Sequence, residues 1–278
     1  MRKTACVIGW PIRHSRSPII HGYWLKTYGI DGTYDKVAVA PEDVPAFIAR
    51  VGTDGFVGCN VTIPHKETVA RLVHVEDPVT ARIGSVNTVY VDAQGRIAGE
   101  STDGYGFMAE LRTAYPNDDF QTVTLIGAGG AARSVLAALI ERRTQSIEIV
   151  ARDVAKAQTL ADLFGSESIR ATGWPSLSDA LRRTDLLVNT TPLGMTGYPD
   201  LEIDLSHLKP GAVVYDLVYV PMETGLLREA RQRGFRTLGG LGMLLHQAVP
   251  GFERWFGVRP AVTPELRALV TRDIEGTA

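Results

Sequence analysis

Lys66 and Asp103 are the residues of this chain best suited to move a proton. Each ends a polar run set between apolar stretches: Asn60-Val61-Thr62-Ile63-Pro64-His65-Lys66 and Ser101-Thr102-Asp103. An ammonium with a carboxylate partner can give and take the proton of an alcohol–ketone couple. Asn60 and Thr62 add an amide and a hydroxyl, and Ser85-Val86-Asn87-Thr88 adds more. His14-Ser15-Arg16-Ser17-Pro18 places two hydroxyls just before a helix, where hydroxyl and N–H donors can hold a carboxylate. Each feature also has an ordinary reading. Lys66 suits a solvated surface, and Ser15 or Ser17 suits a plain helix cap.

A second group of residues suits a nucleotide. Gly127-Ala128-Gly129-Gly130-Ala131-Ala132 follows the apolar strand Thr122–Ile126 and opens a helix with Ala132, Val135, Leu136, Leu139 and Ile140 on one face. In that context the first glycine allows a tight turn, the second lets backbone approach a pyrophosphate, and a small third residue lets helix and strand pack. The helix N-terminus offers N–H groups to phosphates. After the next strand the chain reads Ala151-Arg152-Asp153-Val154-Ala155-Lys156. Arg152 and Lys156, one helical turn apart, suit a 2′-phosphate and hence NADP. Asp153 suits the ribose hydroxyl of NAD, or a cap for the helix beginning at Val154. Asn189-Thr190-Thr191, Tyr215-Asp216-Leu217-Val218-Tyr219 and Gly239-Gly240-Leu241-Gly242-Met243 end or follow later strands, with Gln247 a turn beyond. Met243 taken alone reads as core; at this position it can face a nicotinamide.

The elements that position these groups fall into two α/β series. The first has strands at Thr4–Ile8, Tyr34–Val39 and Phe56–Val61, with helices near Ile19–Tyr28, Glu42–Arg50 and His65–Leu72, the last with Pro64 in its first turn. Val86–Val91 and Arg96–Gly99 flank the turn Asp92-Ala93-Gln94-Gly95, a hairpin. A helix over Asp103–Tyr115 connects the series. The second has strands Thr122–Ile126, Ile147–Val150, Leu186–Asn189 and Val213–Asp216, with a helix over Val154–Phe164. Alternating strands and helices imply mostly parallel sheets. The chain then turns helical, Gly240–Phe256 and Pro264–Glu275, and is expected to pack back on the first series. The expected architecture is α/β with two domains and a cleft between them: a mostly parallel substrate domain, 1–104 completed by 241–278, and a Rossmann-type dinucleotide domain, 105–240.

The 278 residues suit two cores. With 29 basic and 31 acidic residues scattered along the chain, net charge is -2, which gives no field to recruit nucleic acid or an anionic membrane. The N-terminal apolar run is too short for a signal peptide, and no run reaches the roughly 20 residues a bilayer span needs. These features predict a cytoplasmic protein with no membrane or nucleic-acid partner. Cys6 and Cys59 are expected to be buried free thiols.

Eight motifs, HSRSP, NVTIPHKE, GSVNT, STDGYGF, GAGGAA, NTTPLGM, YDLVY and GLGMLLHQA, occur in order over nearly the whole chain. Together they closely resemble the shikimate dehydrogenase family. The resemblance implies a two-domain enzyme that reduces 3-dehydroshikimate to shikimate with NADPH in aromatic amino acid biosynthesis, as a monomer or homodimer with no metal. It implies that Ser15 and Ser17 hold the substrate carboxylate, and that Thr62, Asn87, Tyr219 and Gln247 contact the ring hydroxyls and carboxylate. Lys66 and Asp103 would be the catalytic pair, also touching substrate. Gly127, Ala128, Gly129, Gly130 and Ala131 would hold the pyrophosphate. Arg152 and Lys156 would clamp the 2′-phosphate, and Thr190, Leu217, Gly240 and Met243 would line the rest of the cofactor site.

This sequence departs from the family pattern at three places. Ala151-Arg152-Asp153 stands where the family usually has Asn-Arg-Thr, which loses two hydrogen-bonding side chains, adds an acid and leaves NAD as a weaker alternative cofactor. Val220-Pro221-Met222-Glu223-Thr224-Gly225 lacks the usual Asn before and Pro after. Arg16 stands where Lys is frequent. Relatives that prefer quinate tend to alter the second serine; its retention as Ser17 favours shikimate. The alternatives are a quinate/shikimate dehydrogenase with relaxed cofactor use, or a paralogue acting on another hydroxy acid.

Overall fold

The computed structural model describes residues 2–276. Contacts divide the chain into two units, one comprising the chain up to Gly106 with Leu245–Val270, the other Phe107–Leu244 with the chain from Thr271 onward.

In the first unit, in chain order, the elements are β1 (Lys3–Gly9), α1 (Ser17–Thr27), β2 (Gly32–Ala38), α2 (Val44–Ile48), β3 (Phe56–Val61), α3 (Lys66–Ala70), α4 (Pro78–Ile83), β4 (Thr88–Val91) and β5 (Ile97–Glu100). The sheet order is β2-β1-β3-β4-β5. Strands β2, β1 and β3 are parallel, and β3-β4-β5 are antiparallel, the last two forming the hairpin the Asp92–Gly95 turn predicts. The sheet is parallel over β2-β1-β3, and the hairpin β4-β5 adds two antiparallel strands at one edge, β4 returning against β3 after α3 and α4. Pro64 does not enter a helix: the Ile63–Pro64 bond is cis and α3 begins two residues later. Helix α4, absent from the sequence reading, is capped by Asp77, whose carboxylate accepts from the N–H groups of Val79 and Thr80.

One apolar layer of this unit gathers Cys6, Ile8, Val44, Cys59, Val61 and Val89. A second is aromatic: His21, Trp24, Tyr34, Phe252 and Trp255 pack ring on ring. Trp255 Nε1 donates to Val89 O at 2.9 Å and Trp24 Nε1 to Ala261 O at 2.9 Å, so the C-terminal segment is stitched to the first unit. Both cysteines are buried and free.

After the connecting helix α5 (Asp103–Ala114), the second unit runs β6 (Thr122–Ile126), α6 (Gly130–Glu141), β7 (Ser146–Val150), α7 (Val154–Phe164), β8 (Ile169–Thr172), α8 (Leu177–Leu181), β9 (Leu186–Asn189), β10 (Val213–Asp216), α9 (Gly225–Gln232) and β11 (Arg236–Gly239). Helices α10 (Leu241–Phe256) and α11 (Pro264–Gly276) follow. The sheet order is β11-β10-β9-β6-β7-β8 and every pairing is parallel. Counted from β6, that is strand order 6-5-4-1-2-3, the doubly wound dinucleotide-binding topology. Its central strands bury both faces, which explains their unbroken apolar runs: Val123, Leu125, Leu186, Val188, Val213 and Tyr215 point into one core and Ile126, Leu187 and Val214 into the other. Edge strands β8 and β11 and helices α8 and α9 escaped the sequence reading. Among the described residues, no helix is long and apolar enough to cross a membrane.

Candidate active site

In the first unit, strand ends bring the predicted polar residues together. Lys66 opens α3 after β3, Asn87 immediately precedes β4, and Asp103 opens α5 after β5. Lys66 Nζ meets Asp103 Oδ2 at 2.5 Å. Asp103 Oδ1 accepts from Asn87 Nδ2 at 2.9 Å, and Asn87 Nδ2 lies 3.3 Å from Gln247 Oε1. Both side chains of the Lys66–Asp103 pair are mostly enclosed, 26% and 13% exposed, so the pair is neither a solvated surface contact nor sealed from a ligand.

Thr102 braces this cluster. Its N–H donates to Asn87 Oδ1 at 2.8 Å and its hydroxyl to the Gln247 carbonyl at 2.8 Å. The base of the site is Asn60, buried at the end of β3, whose amide donates to Asn87 O and Thr88 Oγ1, both at 3.1 Å. His65, also buried, has Nε2 2.8 Å from Val39 O, which anchors the turn presenting Lys66. Thr62 is half-buried, and its N–H donates to Ile8 O at 2.9 Å.

The serine pair sits at the head of α1. Arg16 occupies the cap position and makes no side-chain cap bond, while Ser15 Oγ accepts from the Ser17 N–H and donates to Ser17 Oγ, each at 3.3 Å. The two hydroxyls thus stand side by side at a helix N-terminus, Ser15 half-buried and Ser17 buried. Such a pair can present O–H and N–H donors to a carboxylate. The remaining predicted substrate residue, Tyr219, belongs to the second unit, on the loop after β10.

In the second unit, Gly127 leaves β6 with φ +107°, and a Cβ there would stand 2.7 Å from Thr191 Cγ2 and 2.8 Å from Thr190 Oγ1. Glycine is required on both counts. Beside Gly129 and Gly130, by contrast, a Cβ would meet nothing within 4 Å. Helix α6 starts on Gly129 with no side-chain cap, so its first N–H groups are not taken by a side chain. Open space, uncapped N–H groups and bare backbone at the sheet's switch point between β6 and β9 suit a pyrophosphate. Ala128 and Ala131 complete this loop. Gly240 is held by close approach: a Cβ there would stand 2.0 Å from Leu217 O. Leu217 and Met243 both pack, half-buried, against the same core.

Asn189 and Asp216, at the ends of β9 and β10, lock the loops that carry Thr190 and Leu217. Asp216 Oδ1 accepts from Asn189 Nδ2 at 2.9 Å and Val218 N–H at 3.1 Å, and Oδ2 accepts from Thr224 Oγ1 at 2.6 Å. Burial pushes the Asp216 carboxyl pKa up, against the three donors. Asn189 Oδ1 accepts from the N–H and hydroxyl of Thr191. These two positions lie within motifs visible in the sequence, but their bracing role depends on strands 27 residues apart lying side by side.

Arg152 and Lys156 are exposed, and neither forms an ion pair among the described residues. Asp153 caps α7, its Oδ1 accepting from the Lys156 N–H at 3.1 Å. One oxygen of the acid is thus used by its own helix.

A doubly wound nucleotide unit, in one chain with a unit that holds a close Lys–Asp pair, fits a nucleotide-dependent oxidoreductase. Comparison with known proteins narrows the class. Family models for the shikimate dehydrogenase substrate binding domain, shikimate/quinate 5-dehydrogenase and the shikimate 5′-dehydrogenase C-terminal domain match residues 7–89, 111–193 and 240–269. The shikimate dehydrogenase (NADP(+)) of Nitrobacter hamburgensis is 52% identical over 273 residues, 98% of this chain and 95% of the relative. Shikimate 5-dehydrogenase from Thermus thermophilus, solved with NADP(H) and shikimate, is 32% identical with TM-score 0.86 over 98% of this chain and 99% of that one. Quinate dehydrogenase from Corynebacterium glutamicum, solved with NAD, is 31% identical with TM-score 0.89 over 97% and 98%. The chain belongs to the shikimate dehydrogenase family.

Proposed function

We propose that this chain is an NADP-dependent dehydrogenase that interconverts 3-dehydroshikimate and shikimate in aromatic amino acid biosynthesis. The observation that carries the reading is the Lys66–Asp103 pair, 2.5 Å apart and bridged through Asn87 to Gln247. Similarity to NADP(+)-dependent shikimate dehydrogenases along nearly the whole chain supports the substrate and cofactor. In this reading the protein works in the cytoplasm, as a monomer or homodimer.

Ser15 and Ser17 hold the substrate carboxylate, and Thr62, Asn87, Tyr219 and Gln247 hold the ring. The Gly127–Ala131 loop receives the pyrophosphate, Arg152 and Lys156 the 2′-phosphate, and Thr190, Leu217, Gly240 and Met243 border the nicotinamide half. When bound, NADPH supplies the hydride. Lys66 Nζ gives one proton to the carbonyl oxygen as its negative charge develops, and in the reverse direction takes the hydroxyl proton back. Asp103 holds the ammonium in place and, through Asn87, fixes its direction. General acid catalysis of this kind contributes about 10²–10⁴-fold.

Lys66→Ala should lower kcat by at least about tenfold, with NADPH affinity measured by fluorescence titration nearly unchanged. Unchanged kcat would remove Lys66 from the mechanism. Asp153 is the single feature that favours relaxed use of NAD; its engagement as a helix cap argues for NADP.

A further inference from the structure

Gly9 ends β1 ahead of the first motif that carries the family resemblance, yet it lies against a residue of the proposed substrate site. Strands β1 and β3 pair in parallel with Ile8 opposite Val61, so Gly9 and Thr62 are the next residues on each. The pairing continues past the strand ends: the Thr62 N–H donates to Ile8 O at 2.9 Å and the Trp10 N–H to Ile63 O at 3.2 Å. The Thr62 carbonyl accepts from the His65 N–H at 2.9 Å. The backbone of Thr62 is therefore held on both sides, and only its side chain can turn.

A Cβ at Gly9 would stand 2.6 Å from Thr62 Cγ2, 3.0 Å from Ile12 Cδ1 and 3.1 Å from Ile63 O. The backbone at Gly9 is not left-handed, so its conformation does not demand glycine. What demands it is the Thr62 methyl, which fills the space over Gly9. The position of that methyl decides the position of the hydroxyl. Threonine Cβ is a stereocentre, and its χ1 has three staggered wells. Once Cγ2 is set against Gly9, a single place remains for Oγ1. Thr62 is half-buried, and no described residue takes its hydroxyl in a hydrogen bond. A hydroxyl that is fixed in direction and uncommitted is what a site needs to recognise one hydroxyl of a substrate.

We infer that Gly9 is a positioning residue that seats the Thr62 methyl and thereby aims the Thr62 hydroxyl at the substrate ring. Gly9 itself touches no substrate. A side chain there would displace the methyl and turn the hydroxyl by about 120° into another well. The inference rests on the proposed reading of Thr62 as a ring contact. Its particular consequence is that the cost of a side chain at position 9 depends on the methyl at position 62.

The test is a double-mutant cycle on shikimate oxidation with NADP: wild type, Gly9→Ala, Thr62→Ser and the two together. Thr62→Ser keeps the hydroxyl and deletes the methyl. Gly9→Ala should lower kcat/KM for shikimate about tenfold, the upper scale of one lost hydrogen bond. The loss should lie mainly in KM for shikimate, with KM for NADP unchanged; KM reads only folded enzyme, so a loss of stability alone leaves it unmoved. Thr62→Ser frees its hydroxyl among three wells and should lose no more than about threefold. The double variant should match Thr62→Ser within about twofold, recovering most of what Gly9→Ala loses. Losses that multiply in the double variant, or wild-type kinetics for Gly9→Ala, would overturn the inference. If Gly9→Ala accumulates poorly, the double variant is compared with Thr62→Ser alone: a match supports the inference, and a further loss beyond about twofold overturns it. Thr62→Val keeps the methyl, removes the hydroxyl and tests the reading beneath. Unchanged kcat/KM there would mean that Thr62 makes no ring contact, and the inference falls with it. If Thr62→Val costs about tenfold while the double variant shows no recovery, the ring contact stands and the tie to Gly9 falls.

Discussion

The two units build their proposed binding surfaces by opposite means. In the second, the surface is largely backbone: Gly127 turns at φ +107°, Gly129 and Gly130 leave space open, and α6 offers its first N–H groups uncapped. In the first, the surface is a web of side chains in which Asn60, Asn87 and Thr102 spend their polar atoms on one another and on Asp103. A backbone site needs small residues at fixed spacing. A side-chain site needs partners gathered from distant strands. The first kind tolerates change wherever a side chain points outward and fails where a Cβ would intrude; the second fails when one member of the web is removed.

Gly240→Ala probes the backbone side of that contrast most severely. The added carbon would stand 2.0 Å from Leu217 O, so the loop must move. Displacement of about 1 Å costs on the order of 10²-fold in turnover. kcat/KM for NADPH should fall by that amount while Kd for shikimate holds. A variant with wild-type kinetics would show that Leu217 and Gly240 do not border the cofactor.

The first unit should reveal its buried aromatic layer through pH. His21 is held down to about 3 from an ordinary 6.5 by burial. Since the unfolded chain binds this proton more readily, His21 contributes its full stability above pH 6.5 and loses it as pH falls toward 3. The loss is roughly 1.4 kcal/mol, about tenfold in the unfolding equilibrium, per pH unit. Urea unfolding stabilities of wild type and His21→Phe between pH 7 and pH 5 should therefore converge as pH falls if the phenylalanine packs less well, or start together and diverge, with the variant the more stable at pH 5, if it packs equally. Parallel curves would mean that His21 is not buried neutral.

Cofactor choice carries the smaller effects. Arg152→Ala removes one charge-assisted contact and should reduce kcat/KM for NADP about tenfold relative to NAD. Asp153→Asn retains a cap for α7 and should change that ratio less than about twofold. A larger gain in NADP preference would show that Asp153 faces the ribose, not only its own helix.

The contrast also explains what could be read from the residues alone. The Gly127–Ala132 loop announces itself because its glycines answer local demands, and Lys66, Asp103 and Gln247 stand in motifs that resemble a family. The central strands of the second sheet were legible because burial on both faces leaves unbroken apolar runs. Edge strands β8, Ile-Arg-Ala-Thr, and β11, Arg-Thr-Leu-Gly, carry no such run. Helix α4 was signalled by Asp77-Pro78, but at six residues it is too short for periodicity to show. Tyr34 reads as an ordinary strand aromatic, since its partner Asn60 lies 26 residues away. No local pattern encodes a bond whose ends meet only after β1, β2 and β3 have paired.

The central claim is that the chain oxidises shikimate with NADP. Four steady-state kcat/KM values, shikimate and quinate each with NADP and NAD, test it in one experiment. The highest value is expected for shikimate with NADP, lowered by exchange of either the acid or the cofactor. A highest value for quinate, or NAD equal to or better than NADP with shikimate, would contradict it.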